Sequence, residues 1–535
     1  MAAAFDHESL AATASKAAAA EEPELDYTSS IDDESILRRL GRKPQLSRSF
    51  GFVSTLGLAL TTLVSWEGAL VSSVPVLLNG GAAGVVYGFI ANWIGMTSVY
   101  LVLGEMASIA PTAGGQYHWV AILAPPSCSN FLSYLTAWLT TAAWQSIAVY
   151  AGYGVATMLQ GVISLTQPSY SPQTWHTVLI LWGAQIFAAL MNTTSSRVLA
   201  KFESFVLILQ LLGFFGVLIP MVYLSGHNRA EAVFLNFSNT GGWSSQALSF
   251  FVGFPNLAST VIGADCSVHM SEEIQFAAIV VPRALITSVL VNGLLALAIL
   301  IGMLFCLTDL SEALEASETL VYPFISVFYS ATKSVAGAAI MVVIVLVLGF
   351  VSGVGAYASA SRLIWSFSRD RGLPLSKQFV KLNDRMLPTT AVFVTLIMSV
   401  LLSLVSFAST TALDALLSLV VAGIHSSYLL TCALLLWRRT TGFFKRYVPG
   451  VEPEPGVPTW GPWKVPEPLG TMNNIFACIY SILLLFWSFW PQYTPTPPAT
   501  ANWSILVFGG VVLTSITWWL VKAKHYFKGP IRDYE

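Results

Sequence analysis

The stretch Ser65-Trp66-Glu67-Gly68-Ala69 places a carboxyl group midway along an apolar run, residues 52–78. A hydrocarbon core about 30 Å thick needs roughly 20 residues of helix, so this run predicts a membrane-spanning helix. Because a carboxyl group inside lipid is costly, an acidic residue at this depth indicates a functional site by default. The same stretch therefore predicts the architecture of the chain and a first candidate site.

The rest of the 535-residue chain has the same character. Charged residues make up 10% and hydrophobic residues 55% of it, against roughly 25% charged residues in soluble domains. Apolar runs of spanning length predict an all-α polytopic membrane protein with twelve helices, numbered here in chain order: 52–78, 82–104, 130–161, 173–193, 200–224, 247–270, 282–306, 334–361, 389–408, 413–437, 470–490 and 502–521.

The net charge of −2 argues against a nucleic-acid partner. The five cysteines lack the spacing of a metal site or a disulfide framework, so we expect neither a metal nor a cofactor. Four segments are predicted: a mostly disordered cytoplasmic tail (1–49), a transporter core of helices 1–10 (50–437), a loop with helices 11 and 12 (438–521) and a short cytoplasmic tail (522–535).

The basic residues predict the orientation of the chain. With the N-terminus in the cytoplasm, all of the 26 Lys and Arg residues except Arg229 and Lys333 fall on the cytoplasmic side, as the positive-inside rule requires. The sequon at Asn236 then lies in an external loop, where glycosylation is possible. No cleavable signal peptide is expected, because no apolar run follows a basic start.

Helix 1 offers a site for an amine. As a carboxylate, Glu67 would pair with an organic cation, and Trp66 would present a π face to it. Gly68 and Pro75 weaken the helix nearby, so freed backbone groups would line a cavity. The alternative is a Glu67 that is protonated or bonded to a neighbouring helix.

Helix 6 is interrupted as well, by Gly253, Pro255 and Gly263, with Asp265 and His269 following. Paired interruptions in two halves of a chain are the best sequence indicator of a transporter binding site, and helices 1 and 6 match as the first members of two five-helix repeats. Asp265 is either a proton-linked carboxylate or a cap of the second half-helix. His269 is read as a structural hydrogen bonder rather than a proton carrier.

The candidate residues fall into two groups. We expect Glu105, Phe254 and Arg362 to act as gates, and an ion pair between Arg362 and Glu105 or Glu272 is one option. The expected substrate contacts are Ser65, Trp66, Glu67, Gly68, Ala69, Trp144, Thr260, Ile262 and Gly263.

Several motifs resemble those of the amino acid–polyamine–organocation permeases. Glu105-Met106-Ala107-Ser108, with Pro111 and Gly114-Gly115-Gln116-Tyr117 after it, is similar to their signature between helices 2 and 3. Three more stretches resemble the fungal amino acid/choline transporter branch of that family: Leu40 to Phe50, Gly263 to Glu273 with Val281-Pro282-Arg283, and Ser368 to Pro374.

The resemblance implies a LeuT-like 5+5 inverted repeat, alternating access and solute uptake coupled to protons. It implies substrates such as choline, γ-aminobutyrate and other amino acids. The chain departs from the family pattern in two places. The glycine-rich carboxylate-binding turn of helix 1 is reduced to Gly68-Ala69-Leu70, and the helix 5 position that often holds a lysine is Gln210.

The sequence thus predicts a plasma-membrane secondary transporter of a small amine-bearing solute, proton-coupled, with Asp265 as the candidate proton carrier. Two alternatives stay open: a transporter of an amine or alkaloid secondary metabolite from a biosynthetic gene cluster, and a nutrient transceptor. An enzyme is not expected, because HExxH, GxSxG and phosphate-loop motifs are absent from the sequence.

Overall fold

A computed structural model describes residues 33–408, 413, 415, 418–448, 458–497 and 501–531. The predicted disorder of residues 1–32 lies outside this range. Eleven helices in the described residues are long and apolar enough to cross a membrane. The twelfth predicted segment is helix 6, which is broken into short pieces.

The uninterrupted helices begin and end close to the predicted runs. Helices 3, 4, 5, 7 and 8 span Ser129–Thr166, Thr174–Thr193, Ser196–Leu224, Ala277–Cys306 and Val335–Arg369. Helices 9 to 12 span Thr389–Ser403, Leu419–Thr440, Leu469–Trp487 and Ser504–Trp518. Shorter helices precede, connect or follow them: Asp33–Arg39, Gln116–Leu123, Ala230–Phe234, Leu310–Leu320, Pro323–Thr332, Ser376–Phe379, Val405–Ala408 and Lys524–Tyr526.

Helix 1 is broken one turn earlier than Gly68 and Pro75 suggest. It runs from Phe52 to Leu63, stops at Val64, and resumes over Ser65–Ser72. The next helix, Val74–Ile109, contains the end of helix 1 and all of helix 2, which separate at Gly81, where φ is 68° and ψ is −171°.

Helix 6 consists of Gln246–Ala258, a 3₁₀ turn over Ser259–Val261 and a short helix at Cys266–His269. Gly253 and Pro255 lie inside the first piece, so they do not interrupt it. The chain leaves the helical path at Ile262 and at Gly263, whose φ is +124°. Gly263 is therefore the predicted interruption that the structure confirms.

Packing brings the broken helices into the centre of the bundle. Helix 1 lies against helix 5 so closely that a Cβ on Gly57 would be 2.3 Å from the carbonyl oxygen of Glu203. Helices 4, 5 and 7 present apolar side chains to their surroundings, among them Leu190, Leu212 and Leu294, each more than half exposed. Such surfaces suit lipid contact, so the polar residues of interest are left in the interior.

Residues 33–49, assigned above to the disordered tail, are ordered against the core. Asp33 accepts hydrogen bonds from the amides of Phe276 and Ala277, and the amide of Ser49 donates to the carbonyl of Glu273. At the other terminus Phe527 is fully buried. Because both terminal segments meet Asp370, they lie at the same end of the bundle, called the terminal end below.

Candidate functional site

The break in helix 1 puts the predicted amine site on the first turn of a half-helix. Val64 has φ 45° and ψ 42°, a left-handed conformation that is strained for a β-branched residue. Such strain persists only where the surrounding packing imposes it, and it clusters at functional sites. Ser65, Trp66 and Glu67 follow directly, and the Gly68 amide donates to the Val64 carbonyl at 2.8 Å.

Glu67 is buried and lacks a basic partner among the described side chains. It is 2% exposed, and the Gln210 side chain of helix 5 interacts with it. Among the described residues, Glu67 Oε2 and Gln210 Nε2 both lack a hydrogen bond of good geometry. A buried carboxyl group without a partner is costly, so this oxygen is positioned to receive a donor or a cation from a bound molecule.

The other predicted contacts of helix 1 lie on the same half-helix. The Trp66 ring lies 5.9 Å from the ring of Phe214, nearly perpendicular to it, and its indole N–H lacks a partner among the described residues. Gly68 faces helix 6, where a Cβ on it would lie 3.6 Å from Thr260 Cγ2. Ala69 is fully buried. Helices 1, 5 and 6 thus meet at the predicted substrate residues.

The break in helix 6 approaches helix 1 at its own break. A Cβ on Gly263 would lie 2.9 Å from the carbonyl oxygen of Thr62, so a side chain does not fit there, and the positive φ also favours glycine. Ile262 beside it is 4% exposed, and the Thr260 hydroxyl is satisfied within helix 6 by the Leu257 carbonyl at 2.7 Å.

Tyr100 of helix 2 satisfies the backbone that this break exposes. Its hydroxyl accepts hydrogen bonds from the amides of Gly263 (3.1 Å) and Ala264 (3.2 Å) and donates to the carbonyl of Val261 (2.9 Å). Buried backbone groups outside regular helix need such partners. One side chain therefore fixes the non-helical part of helix 6.

Asp265 directly precedes the short helix after this break, and Trp144 contacts that helix. Asp265 is fully buried and accepts a hydrogen bond from Gln116 Nε2 at 2.8 Å. It makes no side-chain cap to the half-helix that follows, so the capping alternative is wrong. The Trp144 ring lies 5.6 Å from the ring of His269, which places it beside Asp265 rather than Glu67.

The gate candidates do not pair with one another. Arg362 is fully buried and donates to Glu273 Oε1 at 2.8 Å and to Asn192 Oδ1 at 2.9 Å. The carboxyl partner of Arg362 is thus Glu273, so the structure does not show the optional pairing of Arg362 with Glu105 or Glu272. Whether Arg362 gates the site stays a prediction.

Glu105 bonds elsewhere at the terminal end. It accepts hydrogen bonds from Arg439 of helix 10 and, at 3.1 Å, from the amide of Val465. Phe254 packs against other rings, with centroids 6.2 Å from Phe250 and 6.5 Å from Tyr480 of helix 11. These contacts attach helices 10 and 11 to helices 2 and 6.

A buried ionic cluster closes the terminal end. Arg42 donates to both oxygens of Asp370, at 2.9 and 2.8 Å, and Asp370 also accepts from the Tyr117 hydroxyl at 2.7 Å and the Ile531 amide at 2.9 Å. Burial alone would lower the pKa of the Arg42 guanidinium, but the carboxylates of Asp370 and Glu272 beside it hold that pKa above its ordinary value. Arg42 is therefore charged in this closed state.

Two buried polar residues were missed by sequence reasoning. Glu203 of helix 5 is fully buried, with one oxygen bonded to the Thr61 hydroxyl at 3.2 Å and the other unpartnered. His425 of helix 10 is fully buried with both ring nitrogens unpartnered among the described residues. An acidic or imidazole side chain within an apolar run is the signal that would have found both.

Asn236 is exposed, at the end of the bundle opposite the ionic cluster, beside Gly81. The Ser238 hydroxyl of the same sequon donates to the Leu77 carbonyl at 2.8 Å. Glycosylation at Asn236 stays a prediction.

Comparison with known proteins decides the family. The family model described as amino acid permease matches residues 50–513. The chain belongs to this permease family. The permease is 29% identical to the choline transporter of Saccharomyces cerevisiae, over 90% of its own length and 83% of the yeast protein. It is 27% identical to the amino-acid permease BAT1 of Arabidopsis thaliana, over 93% of its length and 96% of that protein.

A solved structure resembles the permease in fold. The manganese transporter of Eremococcus coleocola aligns with a TM-score of 0.51 and 14% identity, covering 89% of the permease and 95% of the other chain. At this identity the likeness concerns the fold alone. The all-helical LeuT-like architecture with broken helices 1 and 6 is thereby confirmed, and the permease is a multi-pass membrane transporter, not an enzyme.

Proposed function

We propose that the permease is a secondary active transporter of a small amine-bearing solute, with choline, γ-aminobutyrate and other amino acids as the substrate class. The observation that carries this proposal is Glu67: a buried carboxyl group without a basic partner among the described side chains, next to Trp66 in sequence, on the first turn after the break of helix 1. Carboxylates and aromatic faces are the groups that proteins use to bind organic cations. The names of the yeast and plant relatives agree with this chemistry.

The closed arrangement supports transport by alternating access. Trp66 and Glu67 are buried, so the site is sealed from both ends in this conformation. The terminal end is sealed by the ionic cluster of Arg42 and Asp370, which must separate before the site opens there. A transporter needs two such exclusive openings around one site.

We place the terminal end in the cytoplasm. The basic residues of the loops favour this orientation, and both terminal segments meet at that end. The plasma membrane is the proposed location, with import driven by the proton gradient and Asp265 as the proton-linked group. For a cationic solute the membrane potential adds about 2.3 kcal/mol per charge at 100 mV.

The experiment is uptake of radiolabelled choline, γ-aminobutyrate and a panel of amino acids by yeast cells deficient in the corresponding transporters. Close pairs of opposite charge contribute about 1.5–7 kcal/mol, so Glu67→Gln is expected to raise the KM of the transported amine about tenfold or more. Glu231→Gln, a change at an exposed carboxyl group, is the matched control and is expected to leave KM unchanged. A Glu67→Gln protein with the wild-type KM would contradict the amine site.

A further inference from the structure

Asp265 and His269 face each other across one turn of the second half of helix 6. His269 Nε2 lies 3.6 Å from Asp265 Oδ2, and both side chains are fully buried. His269 Nε2 and Asp265 Oδ1 lack other partners among the described residues. The pair is therefore isolated from solvent, and among the described residues Gln116 and the Tyr428 hydroxyl are the donors that face Asp265.

The other ring nitrogen of His269 fixes the position of one proton. Nδ1 lies 3.0 Å from the carbonyl oxygen of Ala113, and a carbonyl oxygen only accepts, so Nδ1 carries a hydrogen. In a neutral imidazole Nε2 then presents a lone pair. That lone pair would face a carboxylate oxygen. Two acceptor atoms would then lie opposite each other without a hydrogen atom between them.

A second proton removes this conflict. Placed between Nε2 and Oδ2, it gives either a protonated Asp265 with a neutral His269 or an imidazolium paired with a carboxylate. Without it, a fully buried carboxylate would be left facing an acceptor, which is strongly unfavourable in an apolar interior. The Trp144 ring, 5.6 Å from the imidazole, would also favour a positive charge there.

We propose that Asp265 and His269 form a dyad that shares one proton, and that this is the proton carried in each transport cycle. The dyad holds the proton while the site is sealed and exchanges it when water reaches the break of helix 6 in either open state. His269 thus becomes a working part of the site instead of a structural residue. The inference rests on the proposed proton-coupled transport.

The surroundings of the dyad contain few other groups that titrate. Tyr100 of helix 2 and His425 and Tyr428 of helix 10 face Asp265, and Glu203 of helix 5 faces the neighbouring Cys266. The charged groups next along the chain are already paired, Glu272 with Arg369 and Glu273 with Arg362. The dyad is therefore the place in this half of the site where a single proton has two acceptors.

Two substitutions of His269 separate this proposal from a structural role. In His269→Asn the amide nitrogen stands where Nδ1 stood, so the bond to Ala113 is kept and the second acceptor is lost. In His269→Gln the amide stands near the position of Nε2, and the bond to Ala113 is lost. A purely structural His269 predicts that the Asn variant behaves like the wild type and the Gln variant does not.

The assay uses the full-length protein in proteoliposomes with labelled choline and γ-aminobutyrate. For one coupled proton, a gradient of one pH unit at fixed potential supports about tenfold accumulation. Asp265→Asn, His269→Asn and His269→Gln are all expected to lose this accumulation, and each variant is judged by its accumulation with the gradient relative to its own solute exchange without one. The double variant Asp265→Asn/His269→Asn should be no worse than either single variant, because the two residues act as one unit.

The results that overturn the dyad are specific. Wild-type accumulation by His269→Asn would show that only the bond to Ala113 matters. Wild-type transport that ignores the pH gradient would refute proton carriage by the pair, although the transport of the solute itself would stand. If the wild-type protein neither accumulates nor exchanges either solute, the proposed substrate class fails instead.

Discussion

Removing the hydroxyl group of Tyr100 tests how the break in helix 6 is held. Tyr100→Phe would leave the amides of Gly263 and Ala264 and the carbonyl of Val261 without the partner they share, at distances of 2.9 to 3.2 Å. A buried donor that loses its partner costs about 1–3 kcal/mol. The two amides together therefore predict a loss of about 2–6 kcal/mol in the free energy of unfolding.

Helix 10 supplies a matched control. Tyr428 is also fully buried, its ring lies 6.2 Å from that of Tyr100, and its hydroxyl lacks a hydrogen bond of good geometry among the described residues. Tyr428→Phe removes the same atom from nearly the same place, and the hydroxyl it removes faces the side chains of Asp265 and Tyr100 rather than backbone groups. We expect its effect on stability to be about 0.5–1.5 kcal/mol, because no backbone group loses its partner.

The assay is the thermal denaturation of each purified variant in detergent, followed by its uptake kinetics. The account predicts a clearly lower midpoint and weaker solute binding for Tyr100→Phe than for Tyr428→Phe. Equal midpoints for the two variants would refute the reasoning, because then the three contacts of Tyr100 do not stabilise the break.

Other predictions concern the glycine at the break, the ionic cluster and the sequon. Gly263→Ala should abolish uptake, since its Cβ would meet a backbone oxygen at 2.9 Å, whereas Gly183→Ala, with open space around it, should transport normally; normal uptake by both would contradict the close approach of helices 1 and 6. Asp370→Asn should lower the free energy of unfolding by about 3–5 kcal/mol, because it leaves Arg42 buried without its main partner. An unchanged melting midpoint would contradict a stabilising role for Asp370. Asn236→Gln should remove a glycan and so migrate faster than the wild type on gels after expression in yeast, and equal mobility of the two proteins would contradict glycosylation at Asn236.

The architecture could be predicted from the sequence because each helix is indicated by its own residues. Long apolar runs predict spans by length alone, and a glycine at residue 263 in an otherwise apolar run marks the break of helix 6. The break of helix 1 was placed too late, since its position is set by Val64, a residue without any local preference for the left-handed conformation. Its strain comes from packing, which a single sequence does not reveal.

The polar contacts of the site were less predictable, because they join residues that are far apart in sequence. Glu105 pairs with Arg439, 334 positions away, and Arg362 with Glu273, 89 positions away. The sequence supplied Glu67 and Asp265 as isolated acidic residues inside apolar helices. It did not show that Gln210 faces Glu67, since that contact depends on how the helices pack, whereas the contact of His269 with Asp265 is local, four positions along one helical turn.

The central claim, that the buried site recognises a positively charged nitrogen, is tested most directly by competition in proteoliposomes. Uptake of labelled choline is measured against excess choline and against 3,3-dimethylbutan-1-ol, which has the same shape with a neutral carbon in place of the nitrogen. The account predicts that choline competes and the neutral isostere does not, because only the cation gains from Glu67. Equal competition by both compounds, with choline uptake intact, would contradict the claim.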